Sequence, residues 1–165
     1  MYMLDIIVIA HNIRSIYNVG SIFRTADGFG IKKIILSGYT PYPKIENDQR
    51  LPFIYEKISK QIHKTALGAE DSVSFEYQDK PDFESLKNDG YKLVALEQDK
   101  RSIKIQDYHT NSKIALLLGE EVNGINKNFL DACDDIIEIP MYGTKESFNV
   151  SVSAGIALYC LRFNK

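Results

Sequence analysis

The chain predicts an α/β fold: a mostly parallel six-stranded sheet with helices on both faces. Three observations carry that expectation. Short apolar, β-branched runs recur along the 165 residues. Segments with apolar residues at helical spacing lie between them. Composition sits near the globular mean, with 44% hydrophobic and 25% charged residues, which excludes collagen-like, low-complexity and wholly disordered chains. A chain of this length buries roughly 70% of the surface its unfolded form exposes, so it needs no disulfide or metal staple.

The elements follow in order. Residues 4–10 (LDIIVIA) read as the first strand. Val19, Ile22, Phe23, Ala26 and Phe29 then recur at helical spacing until Gly30, a helix stop. Residues 31–37 (IKKIILS) form the second strand, 51–67 a helix, 72–77 (SVSFEY) the third strand and 82–88 a short helix. The fourth and fifth strands are 91–97 (YKLVALE) and 113–119 (KIALLLG); a helix at 126–132 precedes the sixth, 135–140 (DIIEIP). The last helix spans 150–163, where Val150, Ala154, Ala157, Leu158 and Leu161 make one apolar stripe. No repeat, linker or low-complexity tract interrupts this series, so residues 1–165 are expected to form a single domain. Parallel strands joined by crossover helices present their ligand sites beyond the carboxyl ends of the strands, and the loops there hold the candidate chemistry.

Composition also bounds the surroundings. Two cysteines, Cys133 and Cys160, cannot make a disulfide framework, and with His11, His63 and His109 they show no zinc-ligand spacing, so a reducing compartment and no metal are expected. The longest early apolar stretch, residues 6–10, is too short for a signal segment or a membrane span, which points to a cytoplasmic protein. Net charge is −2, but residues 1–64 carry nine Lys/Arg against five Asp/Glu, while residues 65–165 carry eleven against seventeen. That asymmetry is compatible with an anionic ligand near the N-terminal half.

Several familiar motifs fail. GEEVNG (119–124) has glycines at phosphate-loop spacing, but Ile125 and Asn126 stand where Lys and Ser/Thr are required, and its two glutamates would repel a phosphate. GFG (28–30) ends a helix instead of opening one, and no GxSxG occurs. Three polar clusters remain: residues 11–30, with Asn12, Asn18 and Arg24; the GEEVNG loop; and 139–151, IPMYGTKESFNVS. Taken singly, Asn18 reads as a residue near a helix cap, Arg24 as a solvated side chain opposite the apolar stripe, and Ser147 and Asn149 as caps.

Together and in order, the clusters resemble the RNA ribose methyltransferases with the SPOUT fold, in particular the SpoU/TrmH branch of tRNA and rRNA 2′-O-methyltransferases. That branch carries an Asn and N-x-G-x-x-x-R, then a strand ending in G-x-E-x-x-G, then I-P-M and S-x-N-V-S. Here these are Asn12 with residues 18–24 (NVGSIFR), residues 119–124, and residues 139–141 with 147–151 (SFNVS). Phe148 stands where Leu is commoner, and Glu120 adds a carboxylate before the family glutamate, Glu121.

The resemblance implies a single SPOUT domain with a C-terminal trefoil knot, a homodimer, and S-adenosyl-L-methionine as cofactor. It implies cofactor contacts from Leu96, Gly119, Ile139, Met141 and Ser147, and a catalytic group of Arg24, Asn18, Glu121, Ser147 and Asn149. Arg24 would stand beside the ribose hydroxyl. With an ordinary pKa above 12 it suits stabilisation of a developing alkoxide better than proton abstraction. RNA recognition is expected from the basic, tyrosine-bearing stretch 32–64, with Lys44, Arg50, Lys57, Lys60, Lys64, Tyr39, Tyr42 and Tyr55. The alternative is a non-catalytic dimeric RNA-binding or assembly protein retaining the knotted core.

Overall fold

The structure is a computed structural model and describes residues 4–163. Its sheet contains β1 (Ile6–His11), β2 (Lys33–Ser37), β3 (Ser74–Gln78), β4 (Tyr91–Leu96), β5 (Ile103–Lys104), β6 (Lys113–Leu118) and β7 (Asp135–Glu138). All pairings are parallel and the spatial order is β3-β2-β1-β6-β4-β7-β5. The helices are α1 (Ile16–Gly28), α2 (Pro52–Ala66), α3 (Ala69–Ser72), α4 (Phe83–Asn88), α5 (Lys127–Ala132) and α6 (Val150–Phe163).

The sheet therefore has seven strands where the sequence predicts six. The extra strand, β5, is two exposed residues paired at the sheet edge with Ile137 and Glu138 of β7. Two residues carry no readable alternation, so only pairing reveals the strand. The third strand also begins at Ser74 instead of residue 72, because the unexpected single turn of α3 takes Ala69–Ser72.

Strands β1 and β6 lie at the centre and are buried on both faces, which explains their unbroken aliphatic sequences. Alternate residues of β1 serve different cores. Ile6, Val8 and Ala10 join Val19, Phe23, Ile62, Ala154 and Leu158 from α1, α2 and α6. Ile7 and Ile9 join Leu86, Phe129 and Leu130 from α4 and α5. A crossover on one face thus leaves β1 through α1 while another leaves β6 through α5 on the other face. The loops after these adjacent strands diverge, and such a point in an open parallel sheet forms a crevice beyond the strand ends.

Helix α1 sits against α2 through Gly20, where an added Cβ would lie 3.1 Å from the Ala66 amide nitrogen and nearer still to Thr65 and Ile62. It also packs against α6. Among the described residues, no helix is long and apolar enough to cross a membrane.

Candidate active site

The crevice between the ends of β1 and β6 brings the three polar clusters together. Glu121 accepts hydrogen bonds from the backbone amides of Arg14 (3.1 Å) and Ser15 (3.3 Å), and from the Asn18 Nδ2 group (3.2 Å). A carboxylate has only acceptors, so it orients the Asn18 amide with nitrogen inward and leaves Oδ1 to accept from Asn149 Nδ2 at 3.2 Å. Asn149 Oδ1 in turn accepts from the Ser151 amide (2.9 Å) and hydroxyl (2.7 Å) at the start of α6. A continuous relay, Glu121–Asn18–Asn149–Ser151, therefore joins segments more than 100 positions apart in the chain. Burial opposes ionisation of Glu121, but the amides of Arg14, its own backbone, Asn18 and Ser15 outweigh it and hold its carboxyl below the usual value.

The N-cap of α1 is Ser15, whose hydroxyl accepts from the Asn18 amide at 3.3 Å. Asn18 is thus in the first turn, not the cap, and its side chain is free for the relay. Asn149 does cap α6 through the Ser151 amide, so the capping and relay roles coexist in one amide group.

A second cluster holds the end of β1. Thr40, buried, donates to the Ala10 carbonyl and accepts from the Ile13 amide, both at 2.9 Å. Asn12 adopts a left-handed conformation (φ 56°), and its Oδ1 accepts from the Tyr39 amide at 3.1 Å. His11 Nδ1 meets the buried Ser37 hydroxyl at 2.9 Å and its ring packs on Phe129, with burial lowering its pKa. The loop after β2 is pinned by Arg50, which pairs with the enclosed Asp48 carboxylate and lies over the Tyr42 ring at 3.6 Å. The Tyr42 ring stacks on Tyr77 at 4.1 Å. The guanidinium beside Asp48 holds that carboxyl far below the usual range. Arg50 and Tyr42 are thus committed to packing. Lys57, Lys60 and Lys64 remain exposed along α2.

Beside the relay, at the ends of β4, β6 and β7, opens a cavity of about 470 Å³. Leu96, Gly119, Ile139 and Ser147 line it; Met141, half-buried, is not among its lining residues. Five carboxylates do line it: Glu97, Glu120, Glu121, Glu138 and Glu146. Glu97 escaped the sequence reading although it directly follows the fourth strand. Its carboxylate accepts from the Ile125 amide at 2.9 Å and so anchors the loop that forms the cavity wall. That wall depends on glycine. A Cβ on Gly119 would lie 2.8 Å from the Ile125 nitrogen and 2.9 Å from the Gly124 carbonyl carbon, and Gly124 itself has φ 67°. Gln98 Nε2 donates to the Glu146 carbonyl (2.6 Å), tying the opposite wall to the end of β4.

Arg24 is not part of this constellation within one chain. It is exposed on α1, and no hydrogen bond or ion pair engages it among the described residues. Six positions at about 100° each place it roughly 120° around the helix from Asn18. Among the described residues, no group of three or more His, Cys, Asp or Glu is placed to hold a metal ion.

Comparison with known proteins gives these elements a context. The family model described as the SpoU rRNA Methylase family matches residues 5–159. A tRNA (guanosine(18)-2′-O)-methyltransferase of Aquifex aeolicus is 32% identical over 157 residues, spanning 94% of this chain and 67% of that protein. The 23S rRNA (guanosine-2′-O-)-methyltransferase RlmB of Nitrosomonas europaea is 30% identical over 93% of this chain and 54% of its own length. The chain thus spans between about half and two thirds of these two relatives. Among solved structures, the A. aeolicus TrmH/SpoU tRNA modifying enzyme superposes with a TM-score of 0.77 at 28% identity, over 94% of this chain and 73% of that one. The AdoMet-bound rRNA methyltransferase of Sinorhizobium meliloti shares the fold with a TM-score of 0.81 at 23% identity, over 96% and 56%.

Proposed function

This chain belongs to the SpoU rRNA methylase family, and we propose that it transfers a methyl group from S-adenosyl-L-methionine to a ribose 2′-hydroxyl of structured RNA, a tRNA or an rRNA. The observation that carries this reading is the Glu121–Asn18–Asn149 relay, which gathers all three motif clusters at the rim of the cavity beyond β4, β6 and β7. The relatives named for tRNA and rRNA 2′-O-methylation support the substrate class.

The cavity suits the cofactor. Its volume falls within the range of small-molecule sites, roughly 300–1,000 Å³. Its five glutamates give a negative field that favours a cationic ligand. Gly119 and Gly124 bring loop backbone close to the space, offering amide and carbonyl groups to a flat nucleoside. Leu96, Gly119, Ile139 and Ser147 are the residues that would hold it, with Met141 next to them in sequence. When bound, S-adenosyl-L-methionine supplies an electrophilic methyl on a sulfonium sulfur.

The chain's own residues perform the rest. Asn18 and Asn149, locked by Glu121 and Ser151, present fixed amide dipoles that orient Ser147 and the ribose. Arg24 stabilises the charge that develops on the 2′-oxygen as its proton leaves, and it contacts the adjoining phosphate. Because Arg24 lies off the Asn18 face, this role is best served across a homodimer, in which α1 of one copy meets the site of the other. An exposed aromatic cluster supports self-association: Tyr159 and Phe163 are 57% and 52% exposed and pack against Phe29 at the end of α1. The reading also includes one methyltransferase domain acting in the cytoplasm without metal, and a C-terminal trefoil knot. The position of β7 supports the knot: it inserts between β4 and β5, both earlier in the chain, before α6 returns to α1.

Incubation with bulk tRNA or rRNA and methyl-labelled cofactor, followed by mass-spectrometric mapping of ribose methylation, tests the reading. Label at a 2′-O position is expected. Properly folded protein that binds no cofactor at millimolar concentration would overturn it.

A further inference from the structure

A second cavity, of about 430 Å³, lies on the other side of α5 and has the opposite character. Among the described residues its charged lining is Lys80 and Lys127, both exposed, with no carboxylate. Its floor is aromatic. Phe83 meets Phe129 edge to face at 5.0 Å, and Lys80 Nζ stands 5.9 Å from the Phe129 centroid. Asn126, whose Oδ1 caps α5 by accepting from the Phe129 amide, and Asn128 also line it.

Its position relates it to the reaction site. Lys80 follows the carboxyl end of β3, and Phe129 packs on His11 at the end of β1, so the cavity opens near the same sheet edge. The helix α5 is a shared wall: Leu130 faces the acidic cavity while Phe129 and Ala132 face this one. A polyanion crossing that edge meets the five glutamates on one side and two lysines on the other. Among the described residues, Lys80 and Lys127 enter no salt bridge, unlike Lys87, Lys92 and Arg101, which are paired with Asp134, Asp135 and Asp131. Two lysines, one of them over the Phe129 ring, beside a half-buried Phe83 and two asparagines match one unstacked nucleotide: its phosphates for the lysines, its base for Phe83 and the asparagines.

We infer that this cavity is an RNA subsite holding an unpaired nucleotide that flanks the methylated one. The inference rests on the proposed RNA substrate but makes a separate demand on residues outside the relay and the cofactor cavity. It also assigns RNA contact to Lys80 and Lys127 ahead of the basic face of α2.

The full chain tests it with fluorescein-labelled bulk tRNA and single-stranded poly(uridylate), titrated between about 50 and 200 mM salt. The variant K80E/K127E is expected to weaken both about tenfold or more and to lower the log–log salt slope by about 1.4 on poly(uridylate) and by about 1.8 on tRNA, the release expected for two phosphate contacts. K80R/K127R should bind as wild type. F83L should weaken poly(uridylate) about fivefold with the slope unchanged, because stacking carries no counterion term. K57E/K60E imposes the same charge change on α2 and should cost less than threefold. Calorimetric cofactor affinity should stay within twofold in every variant, which also reports folding. Equal loss in K80E/K127E and K57E/K60E, or none in K80E/K127E, overturns the subsite while leaving cofactor binding and methyl transfer standing. Loss of cofactor binding by the wild type would instead strike the proposed function, and the tRNA titrations would still read out the subsite.

Discussion

The two cavities flanking α5 differ in what their walls are made of. The larger one is shaped by backbone: Gly119 and Gly124 draw the 119–125 loop inward, and Glu97 and Gln98 tie its walls by hydrogen bonds to main-chain groups. The smaller one is shaped by side chains, two lysines and two phenylalanines mounted on short helices and a loop. A backbone-built pocket tolerates few substitutions and suits a ligand of constant shape. A side-chain pocket with mobile ammonium groups suits a polymer whose sequence varies. Opposite charge separates them further, so that a cationic cofactor and an anionic strand are each drawn to their own side of one helix.

The largest expected effect lies in neither wall. Arg24→Ala should lower methyl transfer by a factor on the order of 100 to 1,000, the range for removing one preorganised charge stabiliser. Because Arg24 is exposed and has no hydrogen bond or ion pair among the described residues, stability should move by about 0.5 kcal/mol or less. Cofactor affinity should hardly change, and poly(uridylate) binding should weaken by no more than one phosphate contact, with a log–log salt slope lower by about 0.7. Turnover, calorimetry and thermal melting on the same preparation check this, and undiminished turnover would return Arg24 to the role of a solvated helix residue.

Next, Gly119→Ala should sharpen the contrast in wall construction. The new Cβ collides with backbone of the same loop, 2.8 Å from the Ile125 nitrogen. Cofactor affinity is expected to fall about 100-fold, equivalent to about 2.7 kcal/mol, with RNA affinity changed less than threefold. Parallel losses of both ligands would show that α5 transmits the distortion and that the two cavities are one site.

Glu121→Gln should have a smaller effect, about 1 kcal/mol of stability at neutral pH, typical of weakening hydrogen bonds to a charged acceptor at a partly exposed site. The direction with pH follows from the depressed carboxyl pKa of Glu121 in the folded protein. The unfolded chain holds the proton more tightly, so the stabilisation is fully present above the ordinary glutamate value and is lost as pH falls through the lower folded value. Denaturant midpoints from neutral pH down to about pH 3 should converge for wild type and variant at the acid end. A gap that persists there would mean that Glu121 stabilises by shape alone.

The smallest expected effect concerns Cys133. Burial, with Asp134 beside it, pushes its thiol up to about 11, so modification by a thiol reagent at neutral pH should be slow relative to a free cysteine peptide. Labelling that is rapid in the native protein would show that α5 opens readily, and would weaken any comparison that treats the helix as a fixed partition.

Much of this molecule follows from local sequence. The hydrophobic runs of β1, β2, β4 and β6 and the apolar stripes of α1 and α6 have periods that only one type of secondary structure can bury, and a parallel sheet covered on both faces follows from their alternation. The ordered spacing of Asn18, Glu121, Ser147 and Asn149 marked the clusters, because functional groups at strand ends leave a trace of polar residues where the apolar pattern stops. Other features have no local signature. β5 exists only because β7 offers it an edge. Glu97 looked like the polar end of a strand until its carboxylate met the Ile125 amide, 28 positions away. Asn18 looked like a helix-end residue until Glu121 fixed one end of its amide and Asn149 took the other, across separations of 103 and 131 positions. Lys80 and Lys127 line one cavity with Phe83 and Phe129 although they stand 47 positions apart. Periodicity is encoded by neighbours within a few residues, so the sequence by itself determined the layers of this protein. Hydrogen-bond partners and cavity walls come from segments joined by parallel pairing, so only the tertiary structure decided which polar groups face one another and what charge each cavity presents.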